Sequence, residues 1–399
     1  MPLQQRENPI GDPSGVRQIE RDLKVRHERE MYHHAPMSRV ALIVAAVLAL
    51  FLAFNVITIW TLVRLHPRRK WIVVALAVIG NVMWCFFPLL NARTDFSRAI
   101  RAIFGPPWFA WLCFAMVYSV FIALAALVLR RRSRIRIASR LFLWITLGGL
   151  VVGVYGALVP LRVEHVPIAL KNLPPQLDGF RIALIADLHV GLFSRSSRLR
   201  QIFDVTRAQS PDVVVLGGDL IDDDPYFTPK LLASIPSDLS PLAVLGNHEM
   251  YGEPMEMIAR LRGSRVRLLV NDATVVRGLC FAGISDYAAR SDALKPNIPA
   301  ALARCSAPSF PILLSHQPRA FPEAQQRNIA LTLCAHSHGG QCGFRPLRWS
   351  LAGLFLPYHM GLYRWGESQL YVNTGTGYWL LPWRLGITPE ITLIELRRR

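Results

Sequence analysis

Five short polar motifs in the second half of the chain carry the residue types that hold divalent metal ions. They are Asp187-Leu188-His189, Gly218-Asp219, Gly246-Asn247-His248-Glu249, Ser315-His316 and His336-Ser337-His338. Carboxylate, imidazole and amide donors of this kind suit a two-metal hydrolytic centre. Such a centre needs a carboxylate that bridges the ions, further hard or borderline ligands for each ion, and positions left for a water and for substrate oxygens. In Asp187-x-His189 and His336-x-His338, side chains two apart project the same way from an extended strand end. The glycines before Asp219 allow close backbone approach. Each motif alone is a weak signal. Their strength lies in where they fall.

Every motif stands just past an apolar, β-branched run: 181–186, 213–217, 242–246, 312–315 and 331–335. Runs of this length read as buried strands. An α/β protein collects ligands from distant parts of its sequence beyond the carboxyl ends of such strands. Further strand-like runs cover 266–270, 274–276, 279–284, 370–373 and 391–396, with helix-like stretches at 197–208 and 254–261. Strands and helices alternate first and strands dominate later, so a layered α/β domain with two sheets is expected over 161–399.

The first part of the chain reads differently. Residues 1–38 form a polar tail of mixed charge, in which His33-His34 is expected to be solvated. Four uncharged apolar stretches follow within 39–160: Val40–Thr61, Trp71–Leu90, Trp108–Leu129 and Leu141–Pro160. Each has the length of a bilayer-crossing helix, and Trp60, Trp71, Trp108 and Trp111 sit where interfacial aromatics belong. An all-α bundle of four transmembrane helices is therefore expected, with Asn55 and Asn81 bonding neighbouring helices. The first stretch makes a poor signal peptide, because its charged leader is long and no small-residue cleavage site follows.

Composition agrees with a membrane protein: 399 residues, 52% hydrophobic, with a mean hydropathy of +0.29. The net charge of +18 could suggest nucleic acid, but many arginines flank the apolar stretches, where lipid headgroups account for them. The expected partner on these grounds is a lipid bilayer, and no nucleic acid is expected. Four crossings place both termini on one side. Arginine and lysine are nearly balanced between the two faces, but those at 64–70 and 130–140 are concentrated in very short loops. This density favours cytoplasmic short loops and an extracytoplasmic C-terminal domain on a bacterial inner or plasma membrane. The cysteines show no CxxC pair and no disulfide framework, and free buried thiols are expected at Cys280 and Cys334.

The order D-x-H, G-D-x-x-D, G-N-H-E, H, H-x-H resembles the calcineurin-like metallophosphoesterase superfamily. Ala335-His336-Ser337-His338-Gly339-Gly340-Gln341, Gln369–Asn373 and Pro389–Leu393 bring it nearer to the membrane-associated YkuE/YaeI-type enzymes and the transmembrane proteins with a metallophosphoesterase domain. The resemblance spans about 178–399 and implies a four-layer αββα sandwich holding two divalent ions (Mn, Fe, Zn or Co). It implies Asp187, His189 and His338 on one ion, Asn247, His316 and His336 on the other, and Asp219 bridging. It further implies that His248 serves as general acid or transition-state stabiliser, with Asp222 orienting and charging it. A carboxylate beside a histidine does raise the imidazole pKa toward such a role. Relatives have glycine where Ala335 stands, which would matter only at positive φ.

The implied activity is hydrolysis of a phosphodiester or pyrophosphate bond in a lipid or cell-envelope molecule. A UDP-2,3-diacylglucosamine hydrolase of lipid A biosynthesis, a phosphomonoesterase and a non-catalytic receptor on the same fold are the alternatives. The apolar segment 344–363 reads either as a wall for a lipid-linked substrate or bilayer contact, or as a loop folded onto the core.

Overall fold

The computed structural model describes residues 37–89, 94–158, 161–191, 194–222 and 224–399. The polar tail, including His33-His34, lies almost wholly outside them. Four helices come first: α1 (Met37–Leu65), α2 (Lys70–Asn81), α3 (Asp95–Leu129) and α4 (Arg132–Leu158). Among the described residues, four segments are long and apolar enough to cross a membrane. Two differ from expectation. The second apolar stretch is not one α-helix: after α2 the chain tightens to a 3-10 helix over Val82–Leu89. The third starts earlier, at Asp95, and runs through Pro106 and Pro107.

By contacts the chain divides into two units. The first holds the described part of Met1–Gly80 with Phe109–Arg136. Its helices are tied by polar groups. Trp111 Nε1 donates to Asn55 Oδ1 at 2.5 Å, and Thr58 Oγ1 lies 2.9 Å from Ser119 Oγ. Such bonds hold helices together where apolar surface alone gives little preference for a partner helix over lipid. Asn81 accepts from Trp84 Nε1 one turn further along, at 3.2 Å.

The second unit comprises Asn81–Trp108 and Ile137–Arg399. Its strands are β1 (Arg162–Leu170), β2 (Arg181–Ile185), β3 (Val213–Leu216), β4 (Leu242–Ala243), β5 (Arg267–Leu268), β6 (Asp272–Val276), β7 (Leu279–Gly283), β8 (Phe310–Leu314), β9 (Leu331–Cys334), β10 (Gly343–Phe344), β11 (Trp349–Ser350), β12 (Gly361–Trp365), β13 (Ser368–Val372) and β14 (Glu390–Arg398). Its further helices are α5 (Ser196–Ala208), α6 (Thr228–Leu232), α7 (Asn247–Tyr251), α8 (Pro254–Arg262), α9 (Ile298–Leu302) and α10 (Phe321–Gln326). One six-stranded sheet runs β1-β14-β2-β3-β4-β5 and the other β12-β13-β9-β8-β7-β6. β2 to β5 are mutually parallel, as are β7, β8, β9 and β13.

Side-chain alternation builds the layers. Ile182, Leu184, Val213, Val215 and Leu242 pack inward against Phe281, Ile312, Leu314, Leu331 and Leu333 of the other sheet. Ala183, Ile185, Val214, Leu216 and Ala243 face outward onto Leu199, Ile202 and Phe203 of α5 and Ile258 and Leu261 of α8. Cys280, Ala282 and Leu313 face outward onto α9 and α10. Period-two strands with both faces covered thus give the αββα sandwich. β1 carries Glu164, His165 and Pro167, and proline is tolerated there because β1 is an edge strand.

One cysteine expectation is corrected. Cys280 on β7 is not a free thiol but is bonded to Cys305, just beyond α9. The short helix packs back on β7 and brings the two together across 25 residues of sequence. Cys334 is a buried free thiol.

The segment after the H-x-H motif buries Met360 but leaves most of its other large apolar groups in the open. Leu347 is 76% exposed, Leu354 63% and Phe355 80%. Its far end braces the motif, since Ser337 Oγ donates to the His359 carbonyl at 2.6 Å.

Candidate metal centre

The ends of parallel strands from both sheets converge on one place. β2 leads to Asp187 and His189, β3 to Asp219 and Asp222, and β4 to Asn247 and His248. β8 leads to His316, and β9 to His336 and His338. The chain must turn sharply to aim these side chains together. Asp187 (φ 51°), His189 (44°), Asp219 (48°), His336 (75°) and His338 (50°) all hold left-handed backbone. Such residues cost on the order of 1–3 kcal/mol each and persist where surrounding structure over-determines them, typically at functional sites. The positive φ falls on His336 and not on Ala335, so the alanine is accommodated. Gly218 (φ 91°) admits no side chain, because a Cβ there would stand 2.6 Å from His316 Nδ1.

The side chains form three groups, two of which carry most of the candidate ligands. Asp187, His189, Asp219 and His338, all buried, each offer an atom within 4.8 Å of the others; Asp219, His316 and His336 do the same. Asp219 belongs to both. Its Oδ2 lies 3.1 Å from His316 Nε2 and 3.6 Å from His189 Nε2, while its Oδ1 accepts from the His248 backbone at 2.9 Å. His316 Nδ1 donates to the Gly217 carbonyl at 2.8 Å, which leaves Nε2 as its donor atom for an ion.

The pocket suits cations. Asp187 Oδ2, Asn247 Oδ1 and His336 Nδ1 are buried without a hydrogen-bond partner. Buried polar atoms without partners are costly, and two divalent ions would satisfy this set. Burial pushes the Asp187 carboxyl up to about 6, with Asp219 adding to the rise against His316, His189 and Arg384. Burial and the neighbouring imidazoles hold His336 down at about 4, which keeps it neutral and able to ligate.

A family model described as calcineurin-like phosphoesterase matches residues 180–340, from before Asp187 to beyond His338. A Danio rerio protein named "Transmembrane protein with metallophosphoesterase domain" is 32% identical over 359 residues, covering 83% of this chain and 82% of the relative. The chain belongs to the calcineurin-like metallophosphoesterases. A Bos taurus protein of the same name is 32% identical over 267 residues, covering 62% of this chain and 60% of its own. The Bacillus subtilis "Uncharacterized metallophosphoesterase YkuE" is 27% identical over 252 residues, covering 60% and 87%.

In this metallophosphoesterase Asp222, His189 and His248 each offer an atom within 4.8 Å of the others. Asp222 Oδ1 lies 3.1 Å from Nδ1 of His189. The backbone holds these segments side by side: Val190 and Ile221 form a parallel bridge, and Asp222 N donates to the Val190 carbonyl at 3.2 Å. Asp222 thereby fixes the His189 proton on Nδ1 and turns Nε2 toward the other ligands. His248 stands edge-on to His189, ring centres 4.5 Å apart, and 6.3 Å from the Trp379 ring.

Two residues of the metallophosphoesterase site had no assigned role. The first is Glu249, buried to 2% exposure. Its Oε2 accepts from Asp219 N at 3.1 Å and Gly246 N at 2.6 Å, and its Oε1 from Leu220 N at 2.8 Å and Ile221 N at 3.1 Å. One carboxylate therefore clamps the Asp219 loop to the Asn247 loop. Burial and the nearby Asp219 push its pKa up to about 7, against the backbone donors that pull it down. Glu249→Gln offers one acceptor oxygen where two stand, leaving two N–H groups facing an amide nitrogen. Loss of about 2–3 kcal/mol of stability is expected, read as a lowered Tm of the full chain in detergent. An unchanged Tm would show that the clamp is dispensable.

The second is Arg384, among the largest fully buried side chains. Its guanidinium donates to the Gly377 carbonyl at 2.8 Å, to the Thr374 carbonyl at 2.9 Å and to His338 Nδ1 at 3.3 Å. His338 then keeps its proton on Nε2, facing His189 Nε2 at 2.9 Å. The same loop is docked on α4. Arg384 N donates to the Gly153 carbonyl at 2.8 Å, and Trp383 Nε1 to the Gly149 carbonyl at 3.1 Å. A Cβ on Gly153 would meet the Trp383 ring at 1.9 Å, and one on Gly156 the Arg384 carbonyl oxygen at 2.2 Å. The glycine face of a helix long and apolar enough to cross a membrane thus touches the residue that contacts His338.

Proposed function

We propose that the chain is a membrane-anchored, two-metal phosphoester hydrolase acting on a phosphodiester or pyrophosphate bond of a lipid or cell-envelope substrate. The observation that carries this reading is Asp219, a carboxylate common to two histidine-containing groups. Asp187, His189 and His338 would hold one ion, Asn247, His316 and His336 the other, with Asp219 between them. When bound, such ions supply Lewis-acid charge at the phosphoryl oxygens and make a water more acidic.

The chain's own residues orient the site. Asp222 sets the His189 tautomer, and the Gly217 carbonyl sets that of His316. Glu249 and the His248 backbone fix Asp219. We assign the His248 imidazole to protonating the leaving oxygen. Tyr251 and Trp379 flank its ring.

Two observations support the lipid and compartment parts of the reading. Leu347, Leu354, Phe355 and Leu380 expose apolar surface in the unit that contains α4. The Cys280–Cys305 disulfide suits an oxidising compartment, hence an extracytoplasmic face.

The test is turnover of bis-p-nitrophenyl phosphate by the full chain in detergent with Mn²⁺, Fe²⁺, Zn²⁺ or Co²⁺, abolished by chelation. A folded chain inert with all four would be a receptor on this fold. Turnover of p-nitrophenyl phosphate in preference to the diester would make it a phosphomonoesterase. An alkaline phosphatase fused after Arg399 should be active in cells; an inactive fusion would place the site in the cytoplasm and revive the UDP-2,3-diacylglucosamine hydrolase reading.

A further inference from the structure

Beside the ligand loops a cavity of about 450 Å³ opens where the end of α4 meets the catalytic layers. This volume is within the range of small-molecule sites. Its walls differ in chemistry. Leu158 at the end of α4 and Leu188 supply apolar surface, and Arg195, Arg198, Thr376 and Tyr378 supply polar groups.

Its back wall is shared with the metal centre. Leu188 stands between Asp187 and His189, and Gly377 N donates to the Asp187 carbonyl at 3.0 Å. A Cβ at Gly377 would lie 2.3 Å from the Leu188 carbonyl oxygen, so the two segments are in direct contact. Tyr378, next in the chain, is within electrostatic reach of both sides. Burial and the Asp222 carboxylate raise its phenol pKa, while Arg195 and Arg198 lower it. Both guanidinium groups and the Asp222 carboxylate thus lie within electrostatic reach of one phenol.

The occupant must match both walls. Guanidinium groups recognise phosphate oxygens. Leu158, 63% exposed, and Tyr155, 70% exposed, continue the apolar surface along α4 from the cavity rim. A soluble anion would use the arginines and leave the span idle. A phosphate-bearing lipid uses both, with its acyl chains along the helix and its headgroup in the cavity.

We propose that this cavity is a headgroup subsite in which Arg195 and Arg198 hold a non-reacting phosphate of an anionic lipid, whose chains lie along α4. As part of a substrate site it rests on the hydrolase reading above. As a binding site it is tested without turnover.

The full chain in dodecyl maltoside micelles is titrated with phosphatidylglycerol, with phosphatidylcholine and with inorganic phosphate, and binding is read by intrinsic fluorescence and by native mass spectrometry. The native chain should bind phosphatidylglycerol at least about 10-fold more tightly than phosphatidylcholine, the scale of one charge-assisted contact. Arg195→Ala/Arg198→Ala should abolish that preference, and Arg195→Lys/Arg198→Lys should keep part of it, which also covers a failure of the alanine pair to fold. Equal affinity of the native chain for the two lipids would overturn the subsite. So would a preference that survives in the alanine pair. Inorganic phosphate competing as well as phosphatidylglycerol would assign the arginines to a free anion and overturn the lipid. Selective lipid binding without phosphodiester turnover would sink the hydrolase reading and leave the subsite standing. Turnover without selectivity would do the reverse.

Discussion

Asp219→Asn is expected to abolish paired metal binding and to lower phosphodiester turnover by more than about 10³-fold, beyond the roughly 10–100-fold typical of residues that only support a ligand. Asparagine preserves shape and retains an oxygen for the His248 N–H that Oδ1 accepts. What it removes is the negative charge that lies 3.1 Å from His316 Nε2 and 3.6 Å from His189 Nε2. Two cations sharing a neutral amide repel each other without that charge between them. Elemental analysis should fall from two ions per chain toward one, and the Tm gain that added metal confers on the native chain should shrink. Full turnover with two ions retained would remove Asp219 from the bridging position.

His248→Gln is expected to slow turnover by about 10²–10⁴-fold while both ions stay bound, the range for a lost general acid. The backbone N–H that holds Asp219 is unchanged by the substitution. The deficit should depend on the leaving group. A p-nitrophenolate departs with little help, whereas an alkyl alkoxide needs the proton, so the alkyl diester should suffer more. An equal deficit on both would argue for charge stabilisation instead of proton donation. Loss of an ion would make His248 a ligand.

The ligand motifs were legible because each follows a strand whose apolar residues leave little doubt about its direction. A parallel strand delivers its next residues to one edge of the sheet, so order and spacing carry the geometry. The same logic did not reach partners chosen by backbone contacts. The motif did not show that the Asp222 backbone binds Val190 and sets the carboxylate beside His189. Glu249 sits within a recognised motif, but the four N–H groups it gathers come from two separate loops. Arg384 is one arginine among many, and only the fold shows it buried against His338. The Cys280–Cys305 pair could not be read from spacing, because connectivity follows from where α9 packs. β1 was hidden by its charged residues and Pro167, which an edge strand admits and a central strand does not.

The docking of Trp383 and Arg384 on Gly149 and Gly153 means that the last span is not a detachable leash. A chain cut after Pro160 would lose the carbonyls that receive the Trp383 indole and the Arg384 amide, and with them the footing of the arginine behind His338. A bilayer that changes the tilt of α4 to match its own thickness would press on the same footing. If α4 spans a bilayer, hydrocarbon thickness becomes a physical input to the residues behind His338.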